Sequence, residues 1–387
     1  MPDFNMQIIK EWFSLYDDPF APNEDPVRGV SFEKMPLTRE LDIFTNDALL
    51  PYYIQTGSFK DAITQADAYL RRIDYPRGGG LPPAFFIVGD EGAGSSSLAR
   101  YVAYLIKKHA RQNARPGVKE VIISDANFGK CLLKIKRHIS LHVAGRQECL
   151  DIINAYDKDI DRQDPDEGIL EQLFTDLKDC MAGSDPLILI IHKLDFEQEK
   201  WPQRIHRNLR ELNIVPIFLM DDSALAQLVA ADINRNRIEG LMLRLDGLDY
   251  NVALDFLEKR LSLFRREVCL LPPGTPAPFD DNKVFPFLAD ELVQAFNPDN
   301  SIRVKFLIAC FRDAIRSKLG ELTYCHRDQS GNLHETSDQS DTPAPDSVLC
   351  YKDSNGQYQP ITDLTAKQLL ITWRNFAEGY TWRWGKK

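Results

Sequence analysis

Residues 84–100, Ala-Phe-Phe-Ile-Val-Gly-Asp-Glu-Gly-Ala-Gly-Ser-Ser-Ser-Leu-Ala-Arg, hold the groups best suited to chemistry in this chain. An apolar run from Ala84 to Val88 has strand character and meets a glycine-rich turn. A helical stripe follows, with Leu98, Val102 and Leu105 three and four residues apart. Gly89, Gly94 and Ser96 stand where the phosphate-binding pattern G-x-x-x-x-G-K-[ST] requires them, with Gly92 between, but Ser95 occupies the lysine position. Such glycines let backbone N–H groups converge on a phosphate at a helix N-terminus. The lysine adds the charge that β- and γ-phosphates need for tight binding and transfer. Here the cradle is kept and the charge is gone. Any nucleotide would be held by backbone N–H groups, the Ser96 or Ser97 hydroxyl and Arg303.

A second apolar run, Pro186 to Ile191, reads as a central parallel strand buried on both faces. In P-loop ATPases this strand ends in an Asp that positions magnesium, followed by a Glu that polarises the attacking water. Here His192 and Lys193 take those two places, and Asp195 alone keeps its type. At this point the chain resembles the AAA+ and STAND ATPases, especially their origin-recognition-like branch. The resemblance covers about residues 60–320.

What the resemblance implies continues downstream. Ile214 to Met220 would be a fourth strand, with Asp221 or Asp222 at the polar position that senses a γ-phosphate. Residues 223–238 would be a helix, and Arg235 and Arg237 fall where an arginine finger reaches a neighbouring subunit. Gly240 to Leu245 would be the fifth strand. Helices over 250–268, 284–296 and Ser301–Leu319 match the family's lid, with Arg303 at its sensor arginine. The last of these carries Val304, Leu307, Ile308, Phe311 and Ile315 on one face.

Composition fits a globular chain: 387 residues, 43% hydrophobic, 27% charged and a net charge of −10. No apolar run reaches the roughly 20 residues of a membrane span, and the N-terminus lacks signal-peptide character. Seven dispersed cysteines are expected to be buried thiols in a reducing cytoplasm rather than a disulfide framework. Between Arg100 and Arg146 eleven Lys or Arg residues face two acids, Glu120 and Asp125, whereas residues 151–200 are acid-rich. This polarity fits two solvated faces, the complementary faces of a head-to-tail oligomer, or a nucleic-acid surface built on Lys107, Lys108, Lys134, Lys136 and Arg137.

The expected organisation is an N-terminal extension (1–60) packed over the next domain, a degenerate P-loop core (61–249), a helical lid (250–320), a flexible polar linker (321–347) and a C-terminal segment (348–387). That segment would pair a hairpin turning at Asn355-Gly356 with an aromatic helix carrying Trp373, Trp382 and Trp384, which dock on their own chain or on a partner. The fold class is therefore α/β: a P-loop parallel sheet flanked by helices, then an α-helical lid and a small C-terminal segment. A dinucleotide reading of Gly92-Ala-Gly94-Ser-Ser-Ser97 is weaker, because Asp125 lies over 30 residues from the loop where about 20 are expected.

With Ser95, His192 and Lys193 replaced together, the expectation is a cytoplasmic pseudo-ATPase, not an enzyme. Its cofactor would be none, or weakly bound ATP or ADP, and its partners copies of itself or another protein. Two rivals stay open: a nucleotide-dependent switch acting on DNA, and, on resemblance alone, a component of a prokaryotic defence system.

Overall fold

Strand-forming and helix-forming runs alternate through the first half of the chain, and in the computed structural model they assemble as a wound α/β layer. The structure describes residues 8–9, 12–13, 55, 57–75, 81–90, 92–112, 119–124, 128–160, 166–181, 184–192, 208–222, 240–265, 282–288, 300–336, 346–361, 369–371 and 385–386. The chain divides into two units, one of residues 58–246 and one combining 1–57 with 247–387.

In the first unit five strands, β1 (Phe85–Val88), β2 (Lys119–Ser124), β3 (Leu187–His192), β4 (Ile214–Met220) and β5 (Leu241–Arg244), form one parallel sheet in the order β2-β3-β4-β1-β5. Every residue of β1, β3 and β4 is buried. That is why these strands read as unbroken apolar runs rather than alternating ones. Phe86 stacks on Phe218 at 5.3 Å between ring centroids, a contact worth about 0.5–1.5 kcal/mol beyond its buried area.

Helices cover both faces. On one, α1 (Gly57–Arg72) sets Tyr69 edge-on to Phe85 at 5.7 Å. The β1–β2 connection, α2 (Ser95–Gln112), joins it through His109 Nε2, 2.9 Å from Asp67 Oδ1. On the other face, α3 (Phe128–His142), α4 (Gln147–Tyr156), α5 (Glu167–Asp176) and α6 (Lys178–Met181) share a core with Phe86, Val88, Leu189, Ile191 and Phe218. Right-handed crossovers require this division, because the chain moves outward from β1 to β2 and back from β2 to β3. Asp166 caps α5, accepting from the Gly168 and Ile169 N–H groups.

Within this core Cys149 on α4 and Cys180 on α6 form a disulfide, with Cα atoms 5.6 Å apart. This corrects the expectation of single buried thiols. Packing of two helices that are distant in sequence brings the cysteines within bridging reach, which spacing along the chain does not reveal. Cys131, Cys310, Cys325 and Cys350 are buried thiols.

The second unit has its own core around α7 (Tyr250–Phe264) and α8 (Val304–Glu321). Asp249 caps α7 by accepting from the Val252 N–H. On α8, Leu307, Ile308, Phe311 and Ile315 are buried as their spacing predicts. Phe287 meets Phe311 edge-on at 4.6 Å. Residues 283–286 form turns where a helix was expected from 284, and residues 289–296 lie outside the described residues. Ile8, Ile9 and Phe13 are fully buried here, so the N-terminal segment completes this core and not that of the parallel sheet.

A four-stranded antiparallel sheet follows in the order β10-β9-β7-β8, from β7 (Leu322–Arg327), β8 (Leu333–Glu335), β9 (Val348–Lys352) and β10 (Tyr358–Pro360). The span expected as a flexible linker thus contains the β7–β8 hairpin. Its polarity is that of exposed strand positions around Asp328, whose carboxylate accepts from the Ser330 and Asn332 N–H groups. The hairpin at Asn355-Gly356 turns through the five residues between Lys352 and Tyr358 rather than two. Asp353 accepts from the Asn355 and Gln357 N–H groups, and Gly356 supplies a φ of 77°. β6 (Asn300–Ser301) pairs with β11 (Gly385–Lys386), and Leu369 and Ile371 are buried in the same core. Trp373, Trp382 and Trp384 lie outside the described residues.

Candidate functional site

The glycine loop leaves the C-terminal end of β1 between its two neighbours. The Gly89 N–H donates to Met220 O of β4 at 3.0 Å, and the Leu245 N–H donates to Val88 O at 2.8 Å. Both sides of the strand are therefore held up to the residue where the chain turns. Gly92 (φ 89°) and Gly94 (φ 102°) then adopt the left-handed region, which suits glycine. Ala93 N–H donates to Asp90 O, and Leu98 N–H to Gly94 O starts α2. A Cβ built on Gly94 meets nothing within 4 Å among the described residues, so the crown of the loop is open on that side.

Beneath the crown the space is taken. A Cβ built on Gly89 would stand 3.0 Å from Leu245 Cβ and 3.1 Å from Ser95 Oγ. That serine hydroxyl is buried and has no hydrogen-bond partner among the described residues. The residue in the lysine position is thus turned in under its own loop and offers no charge.

His192 ends β3 and is 8% exposed. It pairs with Ser124 and, through the β3–β4 and β4–β1 registers, lies level with Leu219 and Ile87. This is where a magnesium-positioning carboxylate belongs, and imidazole brings no anionic oxygen there. The loop keeps the Ser96 and Ser97 hydroxyls in the first turn of α2, while His192 does not supply the oxygen ligand that magnesium takes.

Two polar residues missed as a pair at the sequence level sit at the same end of the sheet. Arg244 Nη2 lies 2.9 Å from Asp222 Oδ1, and Arg244 Nε lies 3.5 Å from Asp246 Oδ1. Arg244 is in register with Val88, as is Met220, two residues before Asp222. The ion pair thus bridges from β4 to β5 across the exit of β1. Asp222 was one of the two positions expected to sense a γ-phosphate, whereas Arg244, inside the expected fifth strand, was not singled out.

The other expected site residues fall in three groups. Lys193, Asp195, Arg235 and Arg237 lie outside the described residues. Arg303 immediately precedes α8, its guanidinium 6.0 Å from the Phe306 ring centroid, and belongs to the second unit, not to the unit that holds the loop. Of the five basic candidates, Lys136 is buried and paired with Asp157, and Lys107 is mostly buried, 3.3 Å from Glu120. These two lysines neutralise acids of their own unit, which corrects their expected place on a nucleic-acid surface. Lys108, Lys134 and Arg137 are exposed. On α3, Lys130, Lys134 and Arg137 follow the i, i+4, i+7 spacing of one helix face and are continued by Leu141, which is 60% exposed.

Two histidines of this helix have pKa values below the usual histidine value. Burial, helped by the Lys119 and Arg146 charges, lowers the His142 pKa against the opposing pull of Asp185. Its Nε2 lies 2.8 Å from Asp185 O, and its Nδ1 is buried with no hydrogen-bond partner among the described residues. Burial, then the Arg137 charge, lowers His138 as well. Between α1 and α2, burial alone would raise Asp67, but the His109 hydrogen bond and Arg71 outweigh it and hold the carboxyl below its usual value.

No protein-family model and no curated protein matches the sequence. Among solved structures, the fold is similar to the Aeropyrum pernix ORC2 protein in its ADP form, with 16% identity over 67% of each chain and a TM-score of 0.42. It is similar to Cdc6p from Pyrobaculum aerophilum, with 13% identity over 67% of this chain and 62% of that one and a TM-score of 0.44. The Aeropyrum pernix ORC1 protein in complex with DNA gives 16% identity over 71% of this chain and 63% of that one, at 0.41. The chain spans somewhat under two thirds of the length of these last two. The superpositions are loose, and the P-loop α/β architecture rests on the strand order and on the glycine loop at the end of β1. Among the described residues, no helix is long and apolar enough to cross a membrane.

Proposed function

We propose that this chain is a catalytically degenerate AAA+/STAND-like protein, a pseudo-ATPase that serves as a structural or regulatory subunit of a larger assembly. The observation that carries this reading is the state of the lysine position: the Ser95 hydroxyl is buried against Gly89 under a loop whose backbone still has the cradle shape. His192 in place of the magnesium carboxylate supports it from a second strand. Several charge-assisted hydrogen bonds, each worth about 1.5–3 kcal/mol, are absent from such a site. A fold that keeps the cradle without the catalytic charges is suited to holding ATP or ADP weakly, as structure rather than fuel.

Assembly is the other half of the proposal. It rests on the opposed basic and acidic segments and on the finger-like sequence positions of Arg235 and Arg237. The partners are copies of this chain, head to tail, or a protein from the same host. Sedimentation at low and high salt tests it, because exposed charges are screened over about 10 Å at 0.1 M. The proposal expects a complex that loosens as salt rises. A monomer at both salts, with no protein co-purifying from the host, contradicts it.

A second reading, a nucleotide-dependent switch acting on DNA, has one observation in its favour: the exposed Lys130, Lys134 and Arg137 stripe on α3.

A further inference from the structure

The ion pair above the glycine loop gives Arg244 a second use. Its Cα is in register with Val88, the last residue of β1 before the loop, and it sits on the strand next to the cradle. Asp222 lies two residues beyond Met220, the last residue of β4, which pairs with Val88 from the other side. The Arg244–Asp222 contact at 2.9 Å therefore runs over the strand end from which the loop springs. Both side chains are more than half exposed, at 58% and 56%, and Asp246 at 69% completes a shared arrangement of one cation between two carboxylates. An ion pair so open to water contributes little to folding. It is easily exchanged for an anion of higher charge, and a guanidinium suits phosphate because its fork of N–H donors matches two phosphate oxygens. The loop beside it lacks a cation of its own: Ser95 is turned inward, and the crown at Gly94 is open.

We infer that Arg244 supplies to the glycine loop the positive charge that Ser95 cannot, and that Asp222 competes with the ligand for it. A nucleoside di- or triphosphate seated on the loop exchanges the Asp222–Arg244 pair for an Arg244–phosphate contact. Asp222 thereby sets the affinity of the site. The inference rests on the loop's capacity to hold a nucleotide and is independent of whether that nucleotide is hydrolysed.

Fluorescence polarisation with a fluorescently labelled ATP, measured on the full chain, tests this. Arg244→Ala weakens binding by about tenfold, and Asp222→Ala tightens it by several fold, each on the scale of a single charge-assisted hydrogen bond. Arg244→Lys falls between wild type and Arg244→Ala, because an ammonium keeps the charge and loses the fork. The Asp222→Ala/Arg244→Ala double variant binds no better than Arg244→Ala alone. Both residues are exposed, so unchanged thermal melting shows that the variants are folded. Equal affinity of wild type and Arg244→Ala, no tightening in Asp222→Ala, or no binding by any folded variant overturns the inference. Phosphate release measured in the same samples keeps the two ideas apart: turnover would sink the pseudo-ATPase reading and leave Arg244's role intact.

Discussion

The Ser95 hydroxyl packs against Gly89: a Cβ on that glycine would stand 3.1 Å from Ser95 Oγ. Replacing Ser95 with Lys forces the longer side chain out of this enclosed spot toward the open crown at Gly94. Ser95→Lys is expected to tighten binding of labelled ATP by about tenfold, the scale of one charge-assisted hydrogen bond. It should still produce no turnover, since His192 and Lys193 are unchanged. Unaltered affinity in a folded Ser95→Lys protein would mean that the loop does not present this position to phosphate.

The Cys149–Cys180 bond closes a loop with a sequence separation of 31. By the chain-entropy relation a loop of this size is stabilised by about 3–4 kcal/mol. Reduction, or Cys149→Ser, should lower the midpoint of denaturant unfolding accordingly. Intact-mass measurement after alkylation without reductant should find two thiols protected. Seven alkylated cysteines would remove the bond from the account.

Acid sensitivity follows from His142 and His138. Burial lowers both pKa values below the usual histidine value of 6.5. Between the lowered and ordinary values the unfolded chain binds more protons than the folded one, so stability rises with pH there. The stability present above pH 6.5 is lost progressively as pH falls below it. Lys119, Arg146 and Asp185 are the charges around His142, and their net effect leaves this direction unchanged. Urea midpoints at pH 7.5 and pH 5.5 should differ, and His142→Gln should flatten the dependence. A profile in His142→Gln as steep as in wild type would assign the effect to other groups.

Much of the fold was legible because its strands are buried on both faces. Ile214–Met220 reads directly as a strand when every residue is apolar and inaccessible, and the α8 stripe reads as a helix because one face meets a core. The turn of the loop was legible where backbone decides it, at Gly89 and Gly94, and the side-chain arrangement around it less so, because tertiary contact decides that. The Arg244–Asp222 bridge depends on β1 lying between β5 and β4, a strand order that local pattern does not encode. The Cys149–Cys180 bond is hidden for the same reason. Lys107 and Lys136 looked like solvated surface charge because their partners, Glu120 and Asp157, are 13 and 21 residues away. The β7–β8 hairpin was misread as a tether because the end of β7 and all of β8 are exposed or half-exposed, while only Leu322, Tyr324 and Cys325 of β7 are buried.

The α3 stripe separates the two functional readings. If Lys134 and Arg137 touch phosphates, Lys134→Glu/Arg137→Glu should weaken duplex DNA binding uniformly across sequences. It should also lower the slope of log affinity against log salt by about 2, near 0.9 for each phosphate no longer neutralised. The pseudo-ATPase reading expects no such dependence on these side chains.

The central claim is that the combination of Ser95, His192 and Lys193 does not hydrolyse ATP. Phosphate release from ATP by the purified chain, with magnesium present, measures this directly against a Gly94→Asp control that places a carboxylate in the crown of the loop. The account predicts release indistinguishable from that control. Turnover on the order of one per second, typical of a slow enzyme and abolished by Gly94→Asp, would contradict it.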